Sequence, residues 1–175
     1  MNNITDIFFE SSVKDMTPDE YKDVLKDKCP DDYPPKVDYV PADREYHNPP
    51  EEEHTVDRKS CGNIPWIEYW RRLTNFRGQH LKCTFCGKEI FFDINSDACT
   101  SWRIEHPEDR NYRTVDDYQA EGGHYHKNGK DNTDGYIIIP VCKSCNAKNE
   151  DFKFNVVVDN KYVEEIGATL KKNKE

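Results

Sequence analysis

Cys83-Thr84-Phe85-Cys86-Gly87 and Tyr136-Ile137-Ile138-Ile139-Pro140-Val141-Cys142-Lys143-Ser144-Cys145-Asn146 are the stretches that decide the fold, with 55 residues separating Cys86 from Cys142. Each C-x-x-C turn can aim two sulfurs at one ion, and two such turns complete a tetrahedral four-thiolate shell. That closed shell is the structural zinc arrangement rather than the catalytic one. Two unrelated pairs, as disulfides or a redox motif, form the alternative. A redox C-x-x-C belongs in a βαβ context, which is missing here.

The 175 residues suit one domain, and with 35% hydrophobic against 34% charged residues the core must be small. In a chain with a small core, bound zinc carries part of the folding free energy, so chelation should cost structure. The net charge of −9 is unevenly spread: residues 1–60 hold sixteen acids against eight bases, and residues 61–175 hold eighteen against seventeen. Near-neutrality of the cysteine-bearing part neither supports nor excludes a nucleic-acid partner. The seven cysteines are an odd number, and no charged-then-apolar leader opens the sequence, so an intracellular, cytoplasmic protein is expected. The longest apolar run, Tyr136 to Val141, is far too short to span a bilayer, and no membrane association is expected.

Residues 1–60 form, on this reading, an acidic, Pro-rich and largely extended N-terminal arm, with Pro30, Pro34, Pro35, Pro41, Pro49 and Pro50 and the run Glu51-Glu52-Glu53. One short helix is expected in it. Thr17 is the N-cap, Pro18 follows, Glu20 completes a capping box, and Tyr21, Val24 and Leu25 make the apolar face. The arm is either a solvated tail or an acidic segment that docks on a basic partner or on the protein's own binding face.

Residues 61–175 form the four-cysteine domain. A helix capped by Asn63 should carry Trp66, Tyr69, Trp70, Leu73 and Phe76 on one face and end at Gly78; this stripe reads as core. Arg71, Arg72, Arg77, Lys82 and Lys88 make this region locally basic and are the candidate phosphate contacts. Glu89 to Phe92 reads as a strand. Residues 93–118 read as a polar insertion holding the isolated Cys99 and His106, while Cys29 and Cys61 are lone thiols. A hairpin is expected from Glu121-Gly122-Gly123-His124-Tyr125-His126 to Tyr136–Cys142, then a short helix bearing Asn146, Lys148 and Asn149. A strand over 152–158 and a terminal helix from Lys161 to Lys172 complete the pattern.

A zinc turn, an insertion, a His-bearing strand, a hairpin and a helix opening with C-x-x-C-N resemble the treble-clef arrangement of the HNH endonuclease family over roughly residues 80–152. The specific part is GGHYH combined with IIIPVCKSCN. The resemblance implies an α+β fold, a small zinc-stabilised treble-clef (ββα-metal-like) domain. It implies that Cys83, Cys86, Cys142 and Cys145 bind scaffold zinc, that His124 is a general base, and that Asn146 binds Mg²⁺ or Mn²⁺. Apart from the resemblance, the i, i+2 spacing of His124 and His126 puts both rings on one face of a strand, where they either bind a metal jointly or divide the roles, His126 as ligand and His124 as base. The alternative is that both imidazoles pack or hydrogen-bond near the hairpin. The departures are that Gly123 stands where the family has a metal-binding Asp or His, and Ile137 where it has its middle Asn. Asn132 lies several residues off that position.

Three functions follow as expectations, the last in rank being sequence-independent nucleic-acid binding without cleavage, with affinity that falls steeply with salt; the other two are these. One is a binding module of HNH-like ancestry that engages a protein or nucleoprotein partner, a description that fits a host-modulating protein of a virus or mobile element. The other is a metal-dependent HNH-type endonuclease cleaving DNA with His124 as base.

Overall fold

The computed structural model describes residues 13, 15–49, 58–62, 64–129, 135–166 and 169–170, and builds them as a mixed α/β unit. The Glu51–Glu53 run, the expected cap Asn63, Asn132 and Lys171–Lys172 lie outside the described residues.

The expected capping box forms: helix α1 (Pro18–Lys28) has Thr17 accepting from the Glu20 N–H while the Glu20 carboxylate accepts from the Thr17 N–H. Strands β1 (Val37–Tyr39) and β2 (Arg58–Lys59) follow, then helix α2 (Trp66–Leu73). Pro65, not Asn63, sits at the N-cap of α2. Asn75, not Gly78, ends it: with φ +53° it lets the Asn75 and Phe76 N–H groups donate back to the Arg72 and Arg71 carbonyls. That is a Schellman closure, in which Asn replaces the usual Gly. The stripe Trp66, Tyr69, Trp70 and Leu73 is buried as expected.

Strands β3 (His80–Lys82) and β4 (Glu89–Phe91) form a small antiparallel ribbon around the first cysteine turn. The 93–118 insertion is ordered as helix α3 (Asp97–Glu105) and two 3₁₀ turns, Pro107–Asn111 and Val115–Tyr118. Phe91, Cys99 and Tyr118 give it a satellite core of its own. Its charged residues hid that core from a composition-based reading.

Strands β5 (Ala120–His126) and β6 (Tyr136–Cys142) pair antiparallel, Gly123 opposite Ile139, as the hairpin pattern predicts. Helix α4 is short, Lys143–Asn146, so Lys148 and Asn149 lie beyond it. The expected strand over 152–158 does not form; only Phe154 makes a bridge, to Tyr46. The expected terminal helix is instead strand β7 (Lys161–Glu164), with β8 (Thr169–Leu170) pairing β2. Tertiary partners override the local helical pattern here. Strand β7 fills the slot between β1 and β6, and the Trp70 indole and Tyr69 hydroxyl donate to the Lys161 and Glu164 carbonyls at 2.8 and 2.6 Å.

The main sheet thus has the order β1-β7-β6-β5. Helix α2 lies on one face so closely that a Cβ on Gly122 would come within 2.6 Å of the Ile67 nitrogen. The described part of the acidic segment is no solvated tail: Tyr21, Leu25, Val40 and Tyr46 are fully or almost fully buried in the same core as the hairpin. Strand β1 forms the exposed edge of the sheet against β7. Pro spacing suggested an extended chain; among the described residues it holds strand β1 beside helix α1, and its buried aromatic and aliphatic residues pack inward.

Candidate metal centre

The four cysteines converge. Their sulfurs all lie within 4.8 Å of one another, and Cys86 and Cys142 are 3.7 Å apart. A tetrahedral Zn–S bond of about 2.3 Å puts sulfurs about 3.8 Å apart, whereas a disulfide needs about 2.05 Å. The donor set therefore fits one soft cation, and all seven cysteines are free thiols apart from such a site. Cys83, Cys142 and Cys145 are buried; Cys86 is exposed.

Local chemistry explains the convergence. In the first turn the Gly87 N–H donates to the Cys83 carbonyl and the Cys83 N–H to Lys88, while Gly87 takes φ +71°. A side chain would strain that conformation, which is why glycine follows Cys86. In the second turn Cys142 ends β6 and caps α4, its sulfur accepting from the Cys145 N–H at 3.4 Å. Hydrogen bonds from Cys142 and then Cys145 hold the Cys83 thiol down to about 7 and Cys86 further below the usual thiol range. Cys145, bonded first to Cys142, is pushed up. Sulfurs this close share protons, and binding a metal ion would displace them.

Thr84 joins the two turns. Its N–H and hydroxyl both donate to the Pro140 carbonyl, at 3.2 and 2.8 Å, and its own carbonyl accepts from Val157 and Val158. Asn160 closes the back of the turn, donating to the Lys82 carbonyl and to the Thr84 hydroxyl. Beneath lies an aromatic floor: Phe85 stacks on Phe154 at 4.7 Å and meets Tyr125 edge-on at 5.0 Å. Tyr125 is fully buried, and burial raises its hydroxyl pKa, helped by the nearby cysteines.

Asn48 was not singled out by the sequence. It is 4% exposed, and its carboxamide donates to the carbonyls of Cys145, Asn146 and Lys148 at 3.2, 3.3 and 2.5 Å. It closes the C-terminal end of α4, so the Pro-rich segment supports the second cysteine turn directly. An Asn between His and Pro-Pro offers no sequence signal for that role.

Of the expected catalytic residues, His124 and His126 share one face of β5, as their spacing predicts, and Asn146 stands on the other. Along β5, Gly122 and His124 face α2, and Gly123 and Tyr125 face the cysteine side. His124 is 5% exposed, edge-on to Trp66 at 4.6 Å, with its Nε2 3.1 Å from the Glu165 carboxylate. His126 is also buried on that face, 5.1 Å from the Tyr136 ring. Asn146 stands on the other face, beside Gly123, and donates to Glu121 at 2.7 Å. Ile137 is buried, as its apolar strand context implies.

Of the basic residues, Arg77, Lys82 and Lys88 are exposed. Arg71 pairs with Glu68 and lies over the Phe92 ring, and Arg72 donates to the Val13 carbonyl. Cys99 is packed in the satellite core, and His106 stacks on Trp102 at 3.7 Å. Neither joins a metal-ligand group among the described residues.

No family model matches the chain, and no curated protein or solved structure shows detectable similarity to it. Among the described residues, no helix is long and apolar enough to cross a membrane.

Proposed function

We propose that this chain is a zinc-stabilised module of treble-clef build and HNH-like ancestry, which acts by binding a protein or nucleoprotein partner and not by cleaving a phosphodiester. The observation that carries the reading is the separation of His124 from Asn146 across β5. A hydrolytic site needs a base and a metal ligand aimed at one point, and here each is engaged elsewhere, with Glu165 and with Glu121. The four-sulfur cluster supports the zinc assignment through its spacing and donor chemistry. The excess of carboxylates over the whole chain favours a partner with a basic surface.

The test pairs metal content by mass spectrometry, on protein purified without added metal, with plasmid nicking in Mg²⁺ and Mn²⁺ by the wild type and His124→Ala. One zinc per chain and no nicking by either is expected. Nicking by the wild type that disappears in the variant would instead establish an HNH-type endonuclease, and absence of zinc would remove both readings.

A further inference from the structure

A cleft of about 270 Å³ lies between β1, the chain that follows it, and the ends of β5, β6 and β7. Its walls carry three cations, Lys36, Arg44 and Lys127, against one carboxylate, Glu164. The floor is Ile137 and Tyr162, both buried. In a chain of net charge −9, this cleft gathers three positive groups over an apolar floor. Low-dielectric walls strengthen such a local field.

Two of the cations are held in place. Arg44 donates from Nη1 to the Lys127 carbonyl at 2.9 Å, and Lys127 Nζ lies 3.1 Å from Glu164. The carboxylates that meet the other two, Asp38 for Lys36 and Asp43 for Arg44, do not line the cleft. The lining itself holds three cations against one carboxylate, and an incoming dianion competes with the exposed pairs that Lys36 and Arg44 make with Asp38 and Asp43, which are weak in water. The donors are a planar guanidinium and two point-charge ammonium groups. That is the donor set for a tetrahedral dianion. The volume falls just below the range of about 300–1,000 Å³ usual for small-molecule sites, so it admits a phosphoryl group and one ring but no larger nucleotide assembly.

We propose that this cleft binds a phosphomonoester of a small molecule, with Arg44, Lys36 and Lys127 on the phosphoryl group and its carrier ring against Tyr162 and Ile137. The site is built jointly by the Pro-rich segment and the sheet, and it stands whether or not the cysteines carry zinc.

The experiment is calorimetric titration of the full chain at low salt with inorganic phosphate, ribose 5-phosphate and phenyl phosphate, using the wild type, Lys36→Ala and Arg44→Ala. Binding of at least one of the two phosphomonoesters, tighter than inorganic phosphate and weakened by about tenfold in each variant, is expected. The ester preferred identifies the carrier ring. Lys36 is the fold-neutral control, being 59% exposed in its side chain with a 3.8 Å contact to Asp38, and its thermal melt should match the wild type. No binding of either ester at millimolar concentration overturns the proposal. So does equal affinity for inorganic phosphate, or an affinity that Lys36→Ala leaves unchanged.

Discussion

His124 and Asn146 face away from each other across β5: the imidazole lies against Trp66 and Glu165, and the carboxamide sits beside Gly123 and donates to Glu121. A strand alternates its faces with a period of two, so a residue adjacent in sequence to the helix-facing site is committed to the opposite side. His124 is thereby placed with α2 and the C-terminal segment. Its role in this geometry is to join three elements of the fold.

Replacing His124 with Ala should therefore cost stability and no activity. It removes a buried ring that lies edge-on to Trp66 and 3.1 Å from the Glu165 carboxylate, a loss of about 1–3 kcal/mol. Denaturant unfolding measures it, with His124→Ala/Glu165→Gln as the control that should recover part of the loss. An unchanged midpoint for His124→Ala would refute the structural role.

Substitution within the cysteine cluster should be graded by burial. Zinc contributes on the order of 10 kcal/mol in small modules, comparable to the whole stability of a domain. Cys83→Ser, at a fully buried sulfur, should abolish zinc retention and cooperative unfolding. Cys86→Ser, at the exposed ligand, should retain more of both. Chelator treatment of the wild type, followed by circular dichroism, should reproduce the Cys83→Ser state, and equal melting with and without chelator would show the metal to be dispensable.

Asn48→Ala should destabilise the second cysteine turn from a distance of about a hundred residues in sequence. The substitution removes the donor to three carbonyls, a loss of about 2 kcal/mol if one strong bond and the cap are forfeited. Zinc release to a colorimetric chelator should be faster than from the wild type. Deleting residues 1–60 should be more severe and leave no cooperative melt, because it strips Tyr21, Leu25, Val40 and Tyr46 from the core. A cooperative melt of the shortened chain would show that residues 61–175 fold alone.

Asp117 ties the insertion to α4 by accepting from the Ser144 hydroxyl at 2.5 Å, and from the Thr114 N–H and hydroxyl at 2.8 and 3.0 Å. These bonds, led by that from Ser144, hold its carboxyl below the ordinary value of 3.8. A depressed carboxyl contributes stability that is complete above its unfolded pKa and is lost as pH falls through the folded one. Asp117→Asn should therefore cost about 1 kcal/mol near neutrality and converge on the wild type at strongly acidic pH. Paired urea melts at the two pH values check the convergence.

Gly122→Ala should be more disruptive than its small size suggests. The added methyl would lie 2.6 Å from backbone atoms of Trp66 and Ile67, which cannot rotate aside. Overpacking of this kind costs about 1–3 kcal/mol. A thermal shift of the purified variant measures it, and a wild-type melt would mean that α2 does not lie against β5 as closely as described.

The four thiols, the aromatic face of α2, the capping box of α1 and the β5–β6 hairpin were all determined by the sequence itself. Each rests on spacing along a single element or turn, and the side chains that signal it are the ones that form it. What only the tertiary structure decided are relationships between segments distant along the chain. Lys161–Glu164 became a strand because β1 and β6 left a slot with Trp70 and Tyr69 donors above it. The Pro-rich segment became part of the core because Tyr46 meets Phe85 and Asn48 closes α4. The paired histidines became structural partners because strand parity turned them toward α2, away from Asn146. Local pattern fixes which groups an element can present; only the packing of one element on another fixes what each group meets, and chemistry at a site depends on the second.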